Sequence, residues 1–198
     1  MTKDRQNRKT APKSPAPKPA VRAAAAAAPP VARRPIVSSA HLAANSMAEL
    51  SEFEFALMMA NNAFNRWVVR CMNAAGIGDL AALDVLVLHS INHRDRAKRL
   101  ADICLVLNIE DSHTVNYAVK KLVRTGLVQG EKRGKEIFYS TSAAGHEACL
   151  NYRKVREELL IHGVRMLGHP DGDLSHIADI MRALSGIYDQ AARAAASL

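Results

Sequence analysis

The sequence predicts a mainly α protein with one small β-hairpin, preceded by a tail that has no core of its own. Three observations carry this reading. Seven of the eight prolines, and a run of six alanines at positions 23–28, lie before residue 46, where large apolar residues are almost missing. From residue 46 onward apolar residues recur at three- and four-residue steps, the spacing of one helix face, through most of the chain. The single stretch with strand character is "QGEKRGKEIFYST" at 129–141, two short runs around a glycine turn.

Residues 1–45 also hold nine of the 27 Lys and Arg residues and one of the 19 acids. The formal excess of +8 therefore resides in the tail, and the body from residue 46 is neutral. Pro, Ala and Lys without bulky apolar partners bury too little surface to offset ordering entropy, so residues 1–45 are expected to be disordered. They read as a solubilising arm, as a non-specific phosphate-binding arm that raises affinity and salt dependence, or as an organelle transit peptide, against which the prolines speak. No apolar run approaches the roughly 18 residues needed to cross a bilayer, so no membrane partner is expected, and no secretory leader is visible. Cys71, Cys104 and Cys149 are odd in number and far apart, which argues for a reducing, cytoplasmic location rather than a disulfide framework.

The body opens with Met47, Leu50, Phe53, Leu57, Phe64, Trp67, Val68, Cys71, Met72 and Ala75 at helical spacing. This is a helix of about seven turns, with Ser46 as its cap and Gly76 as its stop. A helix that long in a domain of this size calls for a partner surface beyond its own domain. A second helix runs from Asp79 to about Asn92, with Leu80, Leu83, Val85, Leu86, Leu88 and Ile91 apolar. After a polar break at 94–96, with Asp95 a candidate cap, a short third helix carries Leu100, Ala101, Ile103, Cys104 and Leu107. The fourth, "SHTVNYAVKKLVRTGLV" at 112–128, is capped by Asp111 or Ser112, turns Val115, Ala118, Val119, Leu122 and Val123 inward, and stops at Gly126. The hairpin turns at Arg133-Gly134. Ser142 caps a further helix to about Met166, positions 168–172 break it, and Asp173 or Ser175 caps a last helix. That helix carries Ile177, Ile180, Met181, Leu184, Ile187, Tyr188 and Ala191 on one side.

Two brief helices separated by "LNIED" and followed by a hairpin outline a winged helix-turn-helix, in which the second helix lies in the major groove. The outward residues of that helix suit the task. His113, Asn116, Tyr117, Lys120 and Arg124 share one face, with Lys121 beside them. Ser112 and Thr114 sit at its start, where backbone N–H groups attract phosphate. Asn can pair with adenine and Lys with guanine or phosphate. Lys132, Arg133 and Lys135 in the wing complete the set. No acid lies between positions 112 and 128, and residues 94–139 hold ten basic and six acidic residues, so this segment is +4 while the rest of the body is −4. An ordinary Lys/Arg-decorated surface helix explains the face less well than double-stranded DNA does.

Other candidates are weaker. His89 and His93, four apart, have a spacing that can hold a metal, but two polar residues near a helix end explain them as well, and no metal or cofactor is expected. Cys104, Cys71 and Cys149 read as small apolar fillers rather than redox sensors, and Trp67 as core. Asp84, Asp95 and Asp102 form no convincing acid–base pair. No phosphate loop, metalloprotease His-Glu pair or nucleophile elbow is present, so catalytic residues are absent and an enzyme is not expected.

Residues from about 46 to 198 resemble the MarR family of winged-helix transcription regulators. The matching elements are "LAALDVLVLHSI", "RLADI", "DSHTVNYAVKKLVRTGLV", a basic wing, and "STSAAG" where the family has Leu-Thr-x-x-Gly. The wing departs from the family's Asp-x-Arg tip, leaving Arg133 as the candidate for minor-groove insertion. The resemblance implies a homodimer whose first and last two helices form the dimer body, with Leu50, Phe53, Leu57, Leu159, Leu160, Ile180, Leu184, Ile187 and Tyr188 at the interface. It also implies a pseudo-palindromic operator and a small-molecule effector between head and body. The chain then divides into a tail (1–45), a dimerisation helix (46–78), a winged helix-turn-helix DNA-binding domain (79–141) and C-terminal dimerisation helices (142–198). Two other functions compete. A winged helix with a Lys/Pro/Ala tail is also similar to linker histones, which suggests an architectural nucleoid or chromatin protein, and a winged helix can serve as a protein-interaction module alone.

Overall fold

The computed structural model describes residues 34–44, 47–166, 168 and 171–198. The disorder expected of the tail up to residue 33, and the cap expected at Ser46, fall outside them. Within the remainder of the tail, Ala40–Ala43 form a 3-10 turn, and the Ser51 hydroxyl donates to the Leu42 carbonyl at 2.7 Å. Seven helices and a hairpin follow: α1 (Ala48–Ala74), α2 (Ala82–Asn92), α3 (Leu100–Leu107), α4 (Ser112–Arg124), β1 (Val128–Arg133), β2 (Glu136–Thr141), α5 (Ala143–Arg156), α6 (His162–Met166) and α7 (Asp171–Ala195).

Helix α1 spans 27 residues and stops at Gly76, which takes φ +95°, a conformation glycine adopts without a Cβ penalty. Only its last third reaches the core, through Val68, Cys71 and Met72; Met47, Met58, Met59 and Phe64 stay exposed. The second helix starts later than its pattern suggests. Asp79 sits at φ +61°, and the start is set by Asp84, whose carboxylate accepts the Ala81 N–H at 2.8 Å. Asp95 does not cap α3. It lies in a tight turn with Arg94, both at positive φ, and Asp102 accepts the Arg99 N–H at 3.2 Å instead. That turn is closed by a buried lysine: Lys98 Nζ donates to the carbonyls of Ile91 (2.9 Å), His93 (2.5 Å) and Arg96 (3.2 Å). Three fixed dipoles offset the desolvation that pushes this ammonium below its ordinary pKa.

The core gathers the inner faces of α2, α3 and α4 with the end of α1 and the start of α5: Val85, Leu88, Ile91, Ile103, Val115, Val119 and Leu122 with Val68, Met72, Ala148 and Tyr152. Strands β1 and β2 pair antiparallel with Val128 opposite Thr141 and Arg133 opposite Glu136. The turn is therefore Gly134-Lys135, one residue beyond the expected Arg133-Gly134, with Gly134 at φ +65°.

The motif "STSAAG" has a physical account. The Ser142 hydroxyl donates to the Gly126 carbonyl at 2.6 Å and accepts the Gly145 N–H at 3.0 Å, and the Ser142 N–H donates to Leu127 O at 3.1 Å. This draws the first turn of α5 onto the end of α4, so close that a Cβ on Gly145 would lie 2.0 Å from Leu127 O. Helix α5 continues through a π turn, Glu157–Ile161, into α6. Helix α7 begins at Asp171, so Asp173 and Ser175, expected as caps, lie inside it, as does Gly172 from the expected break.

Candidate nucleic-acid interface

Helix α4 forms because its apolar residues fall on one stripe and its first turn is capped. Val115, Ala118, Val119 and Leu122 are buried against α2 and α3. Asp111 is the cap: its carboxylate accepts the His113 N–H at 2.9 Å and the Thr114 hydroxyl at 2.6 Å, and these two bonds hold its pKa below the usual carboxylate range. The anion-attracting helix start that the sequence suggests is thus already occupied by a carboxylate of the chain, and the Thr114 hydroxyl is committed to it.

The opposite face is open. Ser112, His113, Tyr117, Lys120 and Arg124 are exposed, Tyr117 by 69%, and Asn116 is half-buried beside them. Among the described residues, the side chains of His113, Asn116, Tyr117, Lys120 and Arg124 have no hydrogen-bond or ion-pair partner within the chain. Two residues sit differently from expectation. Val123, expected inward, is 41% exposed. Lys121, expected with the outward set, turns back toward α2, where its Nζ lies 2.8 Å from Asp84 Oδ2. A step of one residue rotates the side chain about 100° around a helix, which separates Lys121 from Lys120.

The wing stands beside this face. Backbone bonds between Lys98 and Tyr139 (2.9 and 2.8 Å) tie β2 to the segment before α3, and Arg99 reaches Glu136 at 3.3 Å. Lys132 and Lys135 project into solvent near the tip. Arg133 is not free: it binds Glu131 Oε2 through Nε at 3.0 Å and Nη2 at 2.6 Å and lies 5.0 Å from the centre of the Phe138 ring. Seated this way, its guanidinium shares its charge with Glu131 at an exposed site.

The remaining candidates separate. His93 is exposed, while His89 packs its ring edge-on to Tyr152 at 4.5 Å with Nε2 buried, and burial lowers its pKa. No group of three His, Cys, Asp or Glu converges among the described residues. Burial pushes the Cys149 thiol up to about 11 and also raises that of Cys71, whose sulfur donates to Tyr152 O at 3.6 Å; both are neutral thiols in the core. Cys104 is half-buried and Trp67 packs against the core from its edge. Sequence reasoning missed Lys98, Arg99 and Asp84 as the residues that mount the wing and α4. For Asp84 a signal existed, a lone acid inside the apolar run "LAALDVLVL".

Outside the head the residues expected at a dimer interface divide. Leu159 and Ile187 are both 60% exposed and Ile180 42%, while Leu50, Phe53, Leu57, Leu160, Leu184 and Tyr188 are half-buried. Helix α7 meets α1 where the Tyr188 hydroxyl donates to Glu54 (3.1 Å). It meets the head where Asn108, the left-handed residue ending α3, donates to Ser185 (3.2 Å) and Asp189 (3.3 Å). Between these joints lies a cavity of about 350 Å³ lined by Phe53, Leu57, Asn108, Leu184, Tyr188 and Asp189, among others. No helix among the described residues is long and apolar enough to cross a membrane.

Comparison with known proteins agrees with this geometry. Residues 80–145 match the winged helix DNA-binding domain family. No curated protein matches the sequence significantly. Among solved structures, a mutant MarR from E. coli complexed with operator DNA is 15% identical with a TM-score of 0.57, over 71% of this chain and 99% of that one. Staphylococcus aureus MarR in complex with salicylate and kanamycin is 15% identical with a TM-score of 0.57, over 75% and 97%. CouR from Rhodococcus jostii RHA1, bound to p-coumaroyl-CoA, is 16% identical with a TM-score of 0.57, over 70% and 95%. At such identities the likeness is one of fold.

Proposed function

We propose that this chain, whose fold is that of the MarR-family transcription regulators, is a sequence-specific DNA-binding regulator acting as a homodimer on a pseudo-palindromic operator. The observation that carries the reading is the open face of α4. A helix presenting His113, Asn116, Tyr117, Lys120 and Arg124 with no hydrogen-bond or ion-pair partner among the described residues, next to a basic wing, leaves donors and cations free to exchange water for base edges and phosphates. The exposed apolar side chains of α7 and of the α5–α6 end support a second copy as their cover, and two-fold symmetry then sets the half-sites about one helical turn apart. The cavity between α1, α7 and the end of α3 suits a small effector, because a ligand there competes with the Asn108 bonds that join body to head. Its one carboxylate wall, Asp189, with no Lys or Arg lining it, favours a neutral or cationic amphiphile.

The test is a nuclease footprint of the purified protein on its own upstream DNA, with competitor DNA at near-physiological salt. A discrete protected palindrome is expected. Asn116→Ala should cost about 1–3 kcal/mol of operator affinity, the worth of one base contact. Smeared protection would favour an architectural role, and unchanged affinity in the variant would remove Asn116 from the reading face.

A further inference from the structure

We infer that Asp84 and Lys121 form a latch that sets the rotation of α4 in the head, so that Lys121 acts as a positioning residue for base recognition and not as a contact to DNA. The inference rests on the DNA-binding reading of α4. The geometry is specific. One carboxylate oxygen, Asp84 Oδ2, accepts both the Ala81 N–H that starts α2 and the Lys121 ammonium, each at 2.8 Å. The Asp84 side chain is 5% exposed and that of Lys121 21%, so solvent screens the pair little. The buried face of α4 is apolar: Val115, Ala118, Val119 and Leu122 pack toward α2 and α3 and fix which side of the helix is inward, within the scatter that ridge-and-groove packing allows. An ion pair whose acceptor is itself tied to backbone narrows that scatter, and a misrotation beyond roughly 20° would carry Asn116 and Lys120 out of line with the base edges.

Isolated ion pairs removed from water contribute little net stability and are better attested as devices of register. Here the acceptor also ends the loop from α1: Ala81 follows the Gly76 stop of that helix by five residues. The orientation of the arm and the roll of the reading helix thus meet at one carboxylate.

The experiment measures operator and non-operator affinities across salt for wild type, Asp84→Asn, Lys121→Met, Lys121→Arg and the Asp84→Asn/Lys121→Met double variant, with melting temperatures alongside. Asp84→Asn keeps the cap acceptor for Ala81 and removes the charge, while Lys121→Met keeps the aliphatic length. The latch predicts that either change lowers operator affinity roughly tenfold, the scale of one misaligned base contact. Non-operator binding and the salt slope stay as in wild type, the double variant is no worse than either single one, and Lys121→Arg retains most of the specificity. A phosphate contact predicts the opposite pattern and overturns the inference: Lys121→Met reduces the salt slope by about one, while Asp84→Asn leaves affinity equal or higher by freeing Lys121. Wild-type specificity in both single variants overturns it as well. Should Asp84→Asn fail to fold, the contrast of Lys121→Met with Lys121→Arg decides between the same outcomes. A wild-type protein with no discrete footprint overturns the DNA-binding reading and the latch together, whereas a normal wild-type footprint with unaffected variants overturns the latch alone.

Discussion

In the head, Val85, Leu88, Ile103, Val119 and Leu122 have no accessible surface, whereas in α7 the apolar residues Ile177, Ile180, Met181 and Ile187 stay 41–60% exposed. Both regions carry amphipathic helices, so periodicity alone does not separate them. The difference lies in what faces each stripe. Helices α2, α3 and α4 cross within a few residues of one another and close their stripes on a shared core, with the wing and α5 as lids. Among the described residues, helix α7 touches the others at a few joints and leaves much of its stripe exposed. An apolar face left open in this way is what a second copy would cover in the proposed homodimer. The head closes its core on its own residues, whereas in the proposed homodimer the arms complete their burial against a second copy.

That contrast can be broken from the head side first. Gly145→Ala forces a methyl group against the Leu127 carbonyl, a backbone atom that cannot swing away, where α5 is drawn onto the end of α4. A loss of about 3 kcal/mol is expected, the upper part of the usual overpacking range, read as a lower urea midpoint. Wild-type stability in this variant would mean that the α4–α5 junction is looser than its hydrogen bonds imply.

From the arm side the readout changes. Ile187→Ser should leave head unfolding within about 0.5 kcal/mol of wild type, as surface changes do. The same change should raise the dimer dissociation constant roughly tenfold or more, because two symmetric isoleucines lose burial. Sedimentation equilibrium over a concentration series measures it. A dimer constant unmoved by the substitution would place Ile187 outside the interface.

The smallest effect sharpens the head itself. Burial holds the His89 imidazole below its ordinary 6.5, so the unfolded chain takes up that proton more readily than the folded one. Its contribution to stability is complete above the unfolded value and is lost as pH falls toward the folded one. Urea midpoints at about pH 7.5 and 5.5 should therefore differ, and His89→Phe, which keeps a ring against Tyr152, should narrow the difference. An equal acid sensitivity in the variant would assign it to other groups.

Much of the head was legible because its signals are local. Asp111 and Ser142 cap α4 and α5 as their residue types imply, Gly76 and Gly126 take the left-handed stops, and the α4 stripe reads directly as a 3.6-residue period. The differences share a cause. The sequence points to the nearest polar residue as the start of α2 and of α3, whereas Asp84 and Asp102 reach back three residues from inside their helices. Lys120 and Lys121 look alike in sequence, yet a neighbour across the fold, Asp84, decides which way one of them turns. The candidate reading face was legible as a pattern of polar residues at helical steps; which of them were committed internally was not, since Thr114, Arg133 and Lys121 all find partners that spacing does not reveal.

By itself the amino-acid order determined the elements of the head, their sequence, the apolar stripe of each helix, and the confinement of the excess charge to the first 45 residues. These follow from interactions within a few residues along the chain, where backbone sterics and periodicity act. The folded structure decided that Lys98 is enclosed by three carbonyls, that Arg133 rests on Glu131 and Phe138, that Lys121 binds Asp84, and that much of the α7 stripe stays uncovered by the other described residues. The Lys121 pair and the cover of α7 depend on which distant surfaces meet, while Lys98 and Arg133 bond to neighbours along the chain that the backbone's turns bring within about 3 Å.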